Sequence, residues 1–167
     1  MTKEIKPTTN AGEIITEADL VREFVSVLQS GKTCWRNLEV MTEWGHPTGS
    51  ADILVRTNSR GLIAFEAKLT EWRRAFHQAY RNSMYANRVY VLMPRKTVHR
   101  ALQFRQDFEL RGIGLCSYKD GKVQVHIRAS EQDDLLSWVR RKAHESFDEV
   151  RDEPGDTGSM RQTVLRV

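Results

Sequence analysis

Cysteine is scarce in this chain: two residues in 167, Cys34 and Cys116, each inside an apolar run. Their spacing fits no zinc motif and offers no disulfide framework, so both are read as buried free thiols in a reducing compartment. Long hydrophobic runs are also missing. No stretch approaches the roughly 20 apolar residues of a membrane span, and the N-terminal MTKEIKPTTN lacks the apolar core of a signal peptide. A cytoplasmic protein without membrane contact is therefore expected. Neither sign of charge dominates, since 26 Lys and Arg face 22 Asp and Glu for a net charge of +4 and a pI near 9.2. That balance leans towards a polyanionic partner without requiring one. A hydrophobic fraction of 40% and a charged fraction of 29% describe an ordinary soluble globular protein, and the length fits one domain with a real core.

The chain divides into a polar arm at residues 1–13, a domain at 14–150 and a polar tail at 151–167, both ends being read as flexible. Thr16, with Asp19 in capping-box position, predicts a helix from Glu17 to about Gln29, whose inward face carries Leu20, Phe24, Val27 and Leu28, widened by Val21 and Val25. Residues 32–44 predict a strand of uncertain limits, and Gly45-His46-Pro47-Thr48-Gly49 a loop. Thr70 is expected to cap a helix from Glu71 to about Ala86. Arg88 to Met93 reads as a strand stopped by Pro94, and Lys96 to Arg111 as a third helix closed by Gly112. Ile113–Tyr118 and Lys122–Arg128 form a hairpin around Lys119-Asp120-Gly121, and Ser130 caps a last helix to about Glu149. The closing TVLRV is a candidate docking strand. The order α-β-β-β-α-β-α-β-β-α implies an α/β fold, a mixed sheet with helices on its faces.

Chemistry concentrates in SADILVRTNSRGLIAFEAKL, residues 50–69. Ile53, Leu54 and Val55 are β-formers, Thr57 to Gly61 is turn chemistry, and Leu62 to Phe65 resumes an apolar run. Two strands joined by a tight turn bring Asp52, early in the first, across from Glu66, late in the second. Glu66 and Lys68, two apart, are expected on one strand face. Two carboxylates and an ammonium at one end of a hairpin suit a divalent cation and a phosphodiester. Asp52 and Glu66 would supply oxygens to Mg²⁺, for which Mn²⁺ is expected to substitute, and Lys68 would hold water or a phosphate oxygen. Glu17 shares the inward helix face and is the leading additional acid. An acid in a first helical turn also complements the helix dipole without any catalysis, and both readings stand. Glu23 is the substitute, while Asp19 serves the cap.

An acidic residue in the first helix, a three-stranded meander bearing Asp52 and Glu66-Ala67-Lys68, a following helix and a hydrophobic strand together resemble the PD-(D/E)XK nuclease superfamily. That group includes restriction endonucleases and Holliday junction resolvases. The resemblance covers about Glu17 to Met93 and identifies no subfamily. Ala51 stands where members often carry Pro, and the Q-x-x-x-Y signature of some recombination-type members is not met, because Asn82 follows Gln78 at that spacing. The resemblance implies a restriction-endonuclease-like fold with an αβββαβ core, the Ala67 carbonyl as a further metal ligand, and cleavage leaving a 5′-phosphate.

The second helix carries Arg74, His77, Gln78 and Arg81 at i, i+3, i+4, i+7, one stripe opposite the buried face of Trp72, Ala75, Phe76 and Ala79. Such a stripe can bind phosphates and sugar or base edges, or be an ordinary solvated face. His46 reads as structural. Either Glu39 or Glu43 is a minor candidate for a fourth acid. Trp35, Trp44, Trp72 and Trp138 read as core or rim, and Arg140-Arg141-Lys142 as part of a mixed solvated face. The expected function is a Mg²⁺-dependent endodeoxyribonuclease, structure-selective or recruited by a partner. A homodimer is expected if both DNA strands are cut, and the tail is a candidate docking peptide for a protein partner. The competing readings are a catalytically silent nucleic-acid-binding module and an assembly subunit that retain the fold.

Overall fold

The computed structural model describes residues 14–47, 49–133, 135–152 and 165–166. Helix α1 (Glu17–Gln29) begins at the expected capping box. The Asp19 N–H donates to the Thr16 hydroxyl at 3.1 Å, and the Thr16 N–H donates to the Asp19 carboxylate at 2.9 Å. Strand β1 (Leu38–His46) pairs antiparallel with β2 (Gly49–Thr57) through to His46↔Gly49. Gly45 and His46 therefore belong to a strand and not to the loop expected there, because the ladder runs up to the turn itself.

Strand β3 (Leu62–Ala67) is antiparallel to β2. Helix α2 (Trp72–Asn82) then crosses over to β4 (Arg88–Pro94), which is parallel to β3. Next come the short helices α3 (His99–Leu102) and α4 (Arg105–Leu110), followed by β5 (Gly114–Lys119), parallel to β4. Strand β6 (Lys122–Ile127) closes the expected hairpin, with Asp120 and Gly121 at positive φ in its turn. Helix α5 (Ser137–Asp152) ends the domain. Strand β7 (Leu165–Arg166) docks on β1, with Val40↔Leu165 and Glu39↔Arg166 in register. The closing residues thus pair within the chain. The arm at 1–13 and residues 153–164 of the tail lie outside the described residues. The sheet has seven strands in the order β6-β5-β4-β3-β2-β1-β7, so the fold is α/β, a mixed sheet flanked by helices.

Several boundaries differ from the sequence expectation for local physical reasons. Thr70 does not cap α2; Glu71 holds the cap position without a side-chain bond, and the helix stops at Asn82, where the chain turns to bury Tyr85. The third helix splits in two at Phe104, which leaves helical geometry (φ −110, ψ 30) and lays its ring 4.6 Å from that of Trp72. The last helix begins at Ser137 and not after Ser130, because that backbone serves neighbouring loops: Ser130 N–H donates to Gly112 O and Gln132 N–H to Asn87 O. Cys34 is exposed; only Cys116 is buried.

Side-chain alternation divides the core. Leu62 and Ala64 of β3 join Ala75, Phe76 and Ala79 of α2 and Val139, Ala143 and Phe147 of α5 on one face. Ile63, Phe65 and Ala67 join Leu20, Phe24 and Leu28 of α1, with Trp35, on the other. Both faces are covered, which is why β3 and β4 read as unbroken apolar runs. Trp35, Trp44 and Trp72 are buried, and Trp138 is a rim residue at 43% exposure. Gly114 sits where β5 passes beneath Tyr90. A Cβ there would strike the Tyr90 ring and come within 2.9 Å of Ala129 N. Gly114→Ala is expected to destabilise the fold by about 1–3 kcal/mol, read as a lower midpoint in urea unfolding.

Candidate active site

The β2–β3 ladder ends at Ile53↔Phe65, so the next step outward puts Asp52 across from Glu66, as the spacing predicted. Past the end of the ladder the Asp52 side chain takes over as acceptor: Ala67 N–H donates to Asp52 Oδ2 at 2.8 Å. Glu66, only 1% exposed, follows Leu62 and Ala64 onto the α2 face. There Asn82 Nδ2 donates to its Oε1 at 2.5 Å. The other oxygen, Oε2, is buried and has no hydrogen-bond partner among the described residues. Burial is the main cause that pushes the Glu66 carboxyl up to about 8, and the Asp52 charge adds to it; the Asn82 bond and the nearby Lys68 charge oppose the rise. With Asp52 beside it, this carboxyl favours its protonated form at neutral pH.

Lys68 does not share the direction of Glu66. Strand β3 stops at Ala67, and beyond it Lys68 Nζ donates to Glu17 Oε2 of α1 at 2.7 Å and to the Ala67 carbonyl at 3.0 Å. The two side chains thus part towards opposite helices, because the strict alternation of a strand no longer governs a residue past its end. The Lys68 side chain is 9% exposed and that of its partner Glu17 44%. Of the helix acids, Glu17 is the one at the site. Glu23 accepts from the Tyr118 hydroxyl at 3.2 Å, and Asp19 serves its cap.

Glu17 and Asp52 also line a groove of about 560 Å³ between α1 and the β1–β2 pair, floored by Val21, Val25 and Val40. Glu43 stands on its wall, whereas Glu39 is committed to buried Arg56. His46 stacks on Trp44 and meets Tyr85 edge-on, and burial lowers its pKa. On α2, Arg74, His77 and Arg81 are exposed, but Gln78 is half-buried, with Oε1 shut away from solvent and unpartnered among the described residues. The stripe is therefore a basic face of three residues, with Gln78 at its inner edge.

Two neighbours of Glu66 are not visible in local sequence pattern, Asn82 and Tyr85. Asn82, which stands where the Q-x-x-x-Y signature has Tyr, faces Glu66 from the last turn of α2. Tyr85 is buried with its hydroxyl unpartnered among the described residues, and burial and the Glu66 charge raise its pKa. The Gln78–Asn82 spacing was the available signal, because i and i+4 share a helix face.

Whether these residues suit a divalent cation turns on Glu66. Its buried Oε2, without a donor among the described residues and set against the Asp52 carboxyl, makes an oxygen pair of the kind hard cations take. Among the described residues no group of three or more His, Cys, Asp or Glu side chains is arranged to hold a metal. Two carboxylates alone would suit only an ion that keeps several waters.

No family model matches the sequence, and no curated protein does. Among solved structures, the fold is similar to that of a protein of unknown function from Silicibacter pomeroyi. The two chains are 13% identical and superpose with a TM-score of 0.54, over 80% of this chain and 89% of that one. At that identity the likeness concerns the fold alone. No helix of the described residues is long and apolar enough to cross a membrane.

Proposed function

We propose that this chain is a metal-dependent endodeoxyribonuclease with a restriction-endonuclease-like core. The observation that carries the reading is the buried Glu66 carboxyl, with one oxygen unpartnered and Asp52 beside it, next to a lysine held by Glu17. The order α1-β1-β2-β3-α2-β4 also follows the pattern that the PD-(D/E)XK resemblance implies. Asp52 and Glu66, with the Ala67 carbonyl, would hold Mg²⁺ or Mn²⁺. Such an ion supplies a Lewis-acidic centre that activates water near neutral pH and offsets charge on a phosphate.

The chain's own groups do the rest. Asn82 fixes the rotamer of Glu66 by its bond to Oε1, and Ala67 N–H fixes Asp52. Glu17, which lines the groove, holds the Lys68 amine, and that amine would bind a non-bridging phosphate oxygen. Arg74, His77 and Arg81, on the helix that leaves this strand directly, are the residues for the flanking backbone phosphates.

One observation favours a second reading, a silent nucleic-acid-binding module. The Lys68 amine already has two acceptors, Glu17 Oε2 and Ala67 O. A cleavage assay separates the two. Supercoiled plasmid, single strands and a four-way junction are incubated with wild type or Asp52→Ala, in Mg²⁺, Mn²⁺ or chelator. The nuclease reading expects metal-dependent cutting by wild type and none by the variant. DNA binding in chelator without cutting in either metal would favour the module.

A further inference from the structure

A second constellation lies at the other end of the sheet, where β3 and β4 begin. Arg60 ends the turn that leads into β3, and Asn87 directly precedes β4. With six residues in β3, this end is about 20 Å from the carboxylate pair. Here a cavity of about 560 Å³ is lined by Arg60, Arg140, Arg141 and His144, with Ser137 and Gln132. Among the described residues, Asp133 is the acid that shares the lining.

The cations are only partly used. Among the described residues Arg140 bonds through Nη1, to Tyr85 O at 2.8 Å and Asn87 Oδ1 at 2.9 Å, so Nε and Nη2 can serve another acceptor. Arg60 lies 3.9 Å from Asp148 and Arg141 lies 3.8 Å from Glu145, both beyond hydrogen-bond distance, with side chains 60% and 75% exposed. Arg60 also holds φ +60, a conformation that favours glycine, so the backbone would gain if this arginine were replaced by Gly. His144 Nδ1 is buried with no partner among the described residues. The cavity further takes in the start of α5, a helix of 16 residues. In its first turn Arg140 N–H donates to Leu136 O.

Planar guanidinium forks, the positive end of a helix and an imidazole nitrogen without a partner among the described residues are all complementary to one chemistry, a tetrahedral oxyanion. We propose that this cavity is a phosphate-binding site, separate from the carboxylate pair. It takes the phosphate of a small ligand or of a nucleic-acid backbone, and it does not depend on the nuclease reading. The electrostatics agree with it. His144 is held down to about 4, first by burial and then by Arg60, Arg140 and Arg56, with only Asp148 opposing. A phosphate among those arginines would cancel their effect and raise the imidazole pKa.

The test is a titration of the full chain with inorganic phosphate, in chelator and at constant ionic strength, followed by the ring resonances of His144 near pH 6. A saturable shift towards the protonated position is expected. The double variant Arg60→Gly with Arg141→Ser, at two exposed positions, should weaken the affinity by at least about tenfold, because each arginine contributes a charge-assisted bond. Asp52→Ala should bind phosphate as wild type does. A short DNA duplex that displaces phosphate identifies a nucleic-acid backbone as the source; displacement by a 5′-mononucleotide alone identifies a small ligand. No saturable shift in wild type, or equal affinity in the double variant, would overturn the site.

Discussion

Lys68→Ala is expected to lower the cleavage rate by about 10²–10³-fold, the usual cost of removing one preorganised group that faces developing charge. The loss should fall on kcat and leave KM nearly unchanged, because Arg74, His77 and Arg81 of α2, the residues proposed to meet the flanking phosphates, stay in place. The fold should survive. Glu17, the carboxylate left behind, is 44% exposed and can return to water, so no charge is stranded in the interior. Lys68→Arg should not rescue the rate. The ammonium sits 2.7 Å from Glu17 on a side chain only 9% exposed, and a planar guanidinium cannot occupy that space with the same contacts. Glu17→Gln should cost about tenfold, since it loosens the amine without removing it. Turnover by Lys68→Ala at the wild-type rate would take this lysine out of the chemistry.

The site was legible where local pattern and covalent spacing determine geometry. Ile53 to Val55, the Thr57–Gly61 turn and Leu62 to Phe65 form a hairpin by strand and turn propensity alone, and hairpin register then sets Asp52 against Glu66. The Thr16–Asp19 box was legible for the same reason, because both partners lie within one helical turn. What escaped depends on contacts between distant segments. The alternation rule extended Lys68 onto the face of Glu66, but the strand ends one residue earlier and Glu17 draws the amine to α1. Asn82 looked like a missing family residue until α2 packed it against Glu66.

Glu39 looked like a possible fourth acid because nothing local reveals Arg56, a buried cation bound by Glu39 from β1 and by Asp148 and the His144 carbonyl from α5. The last helix was placed too early for a related reason. Ser130 is a good cap by composition, yet its backbone pairs with Gly112 and that of Gln132 with Asn87, contacts set by the sheet. Cys34 was read as buried from its apolar neighbours, but it stands exposed beside buried Trp35.

Glu66 also makes a measurable demand on stability. Its folded carboxyl titrates at about 8, above the ordinary value of 4.5. Between those pH values the folded state keeps a proton that the unfolded chain releases. Stability from this group is therefore fully present below about pH 4.5 and is lost as pH rises through about 8. In chelator, the melting temperature is expected to fall from pH 5 to pH 8.5 by about 5–15 °C, for a loss of roughly 2–5 kcal/mol.

Glu66→Gln keeps a side-chain oxygen for Asn82 and removes the ionisation, so its profile should be flatter and its melting temperature at pH 8 higher than that of wild type. Added Mg²⁺ should stabilise wild type more at pH 8 than at pH 5, because a cation favours the ionised carboxylate, and it should have little effect on the variant. Scanning calorimetry over that range reads all three effects without any nuclease assay. Superimposable wild-type and Glu66→Gln profiles in chelator would remove Glu66 as the titrating group. A variant more stable than the parent but unable to cut would mean that the buried carboxylate is retained for chemistry at the expense of the fold.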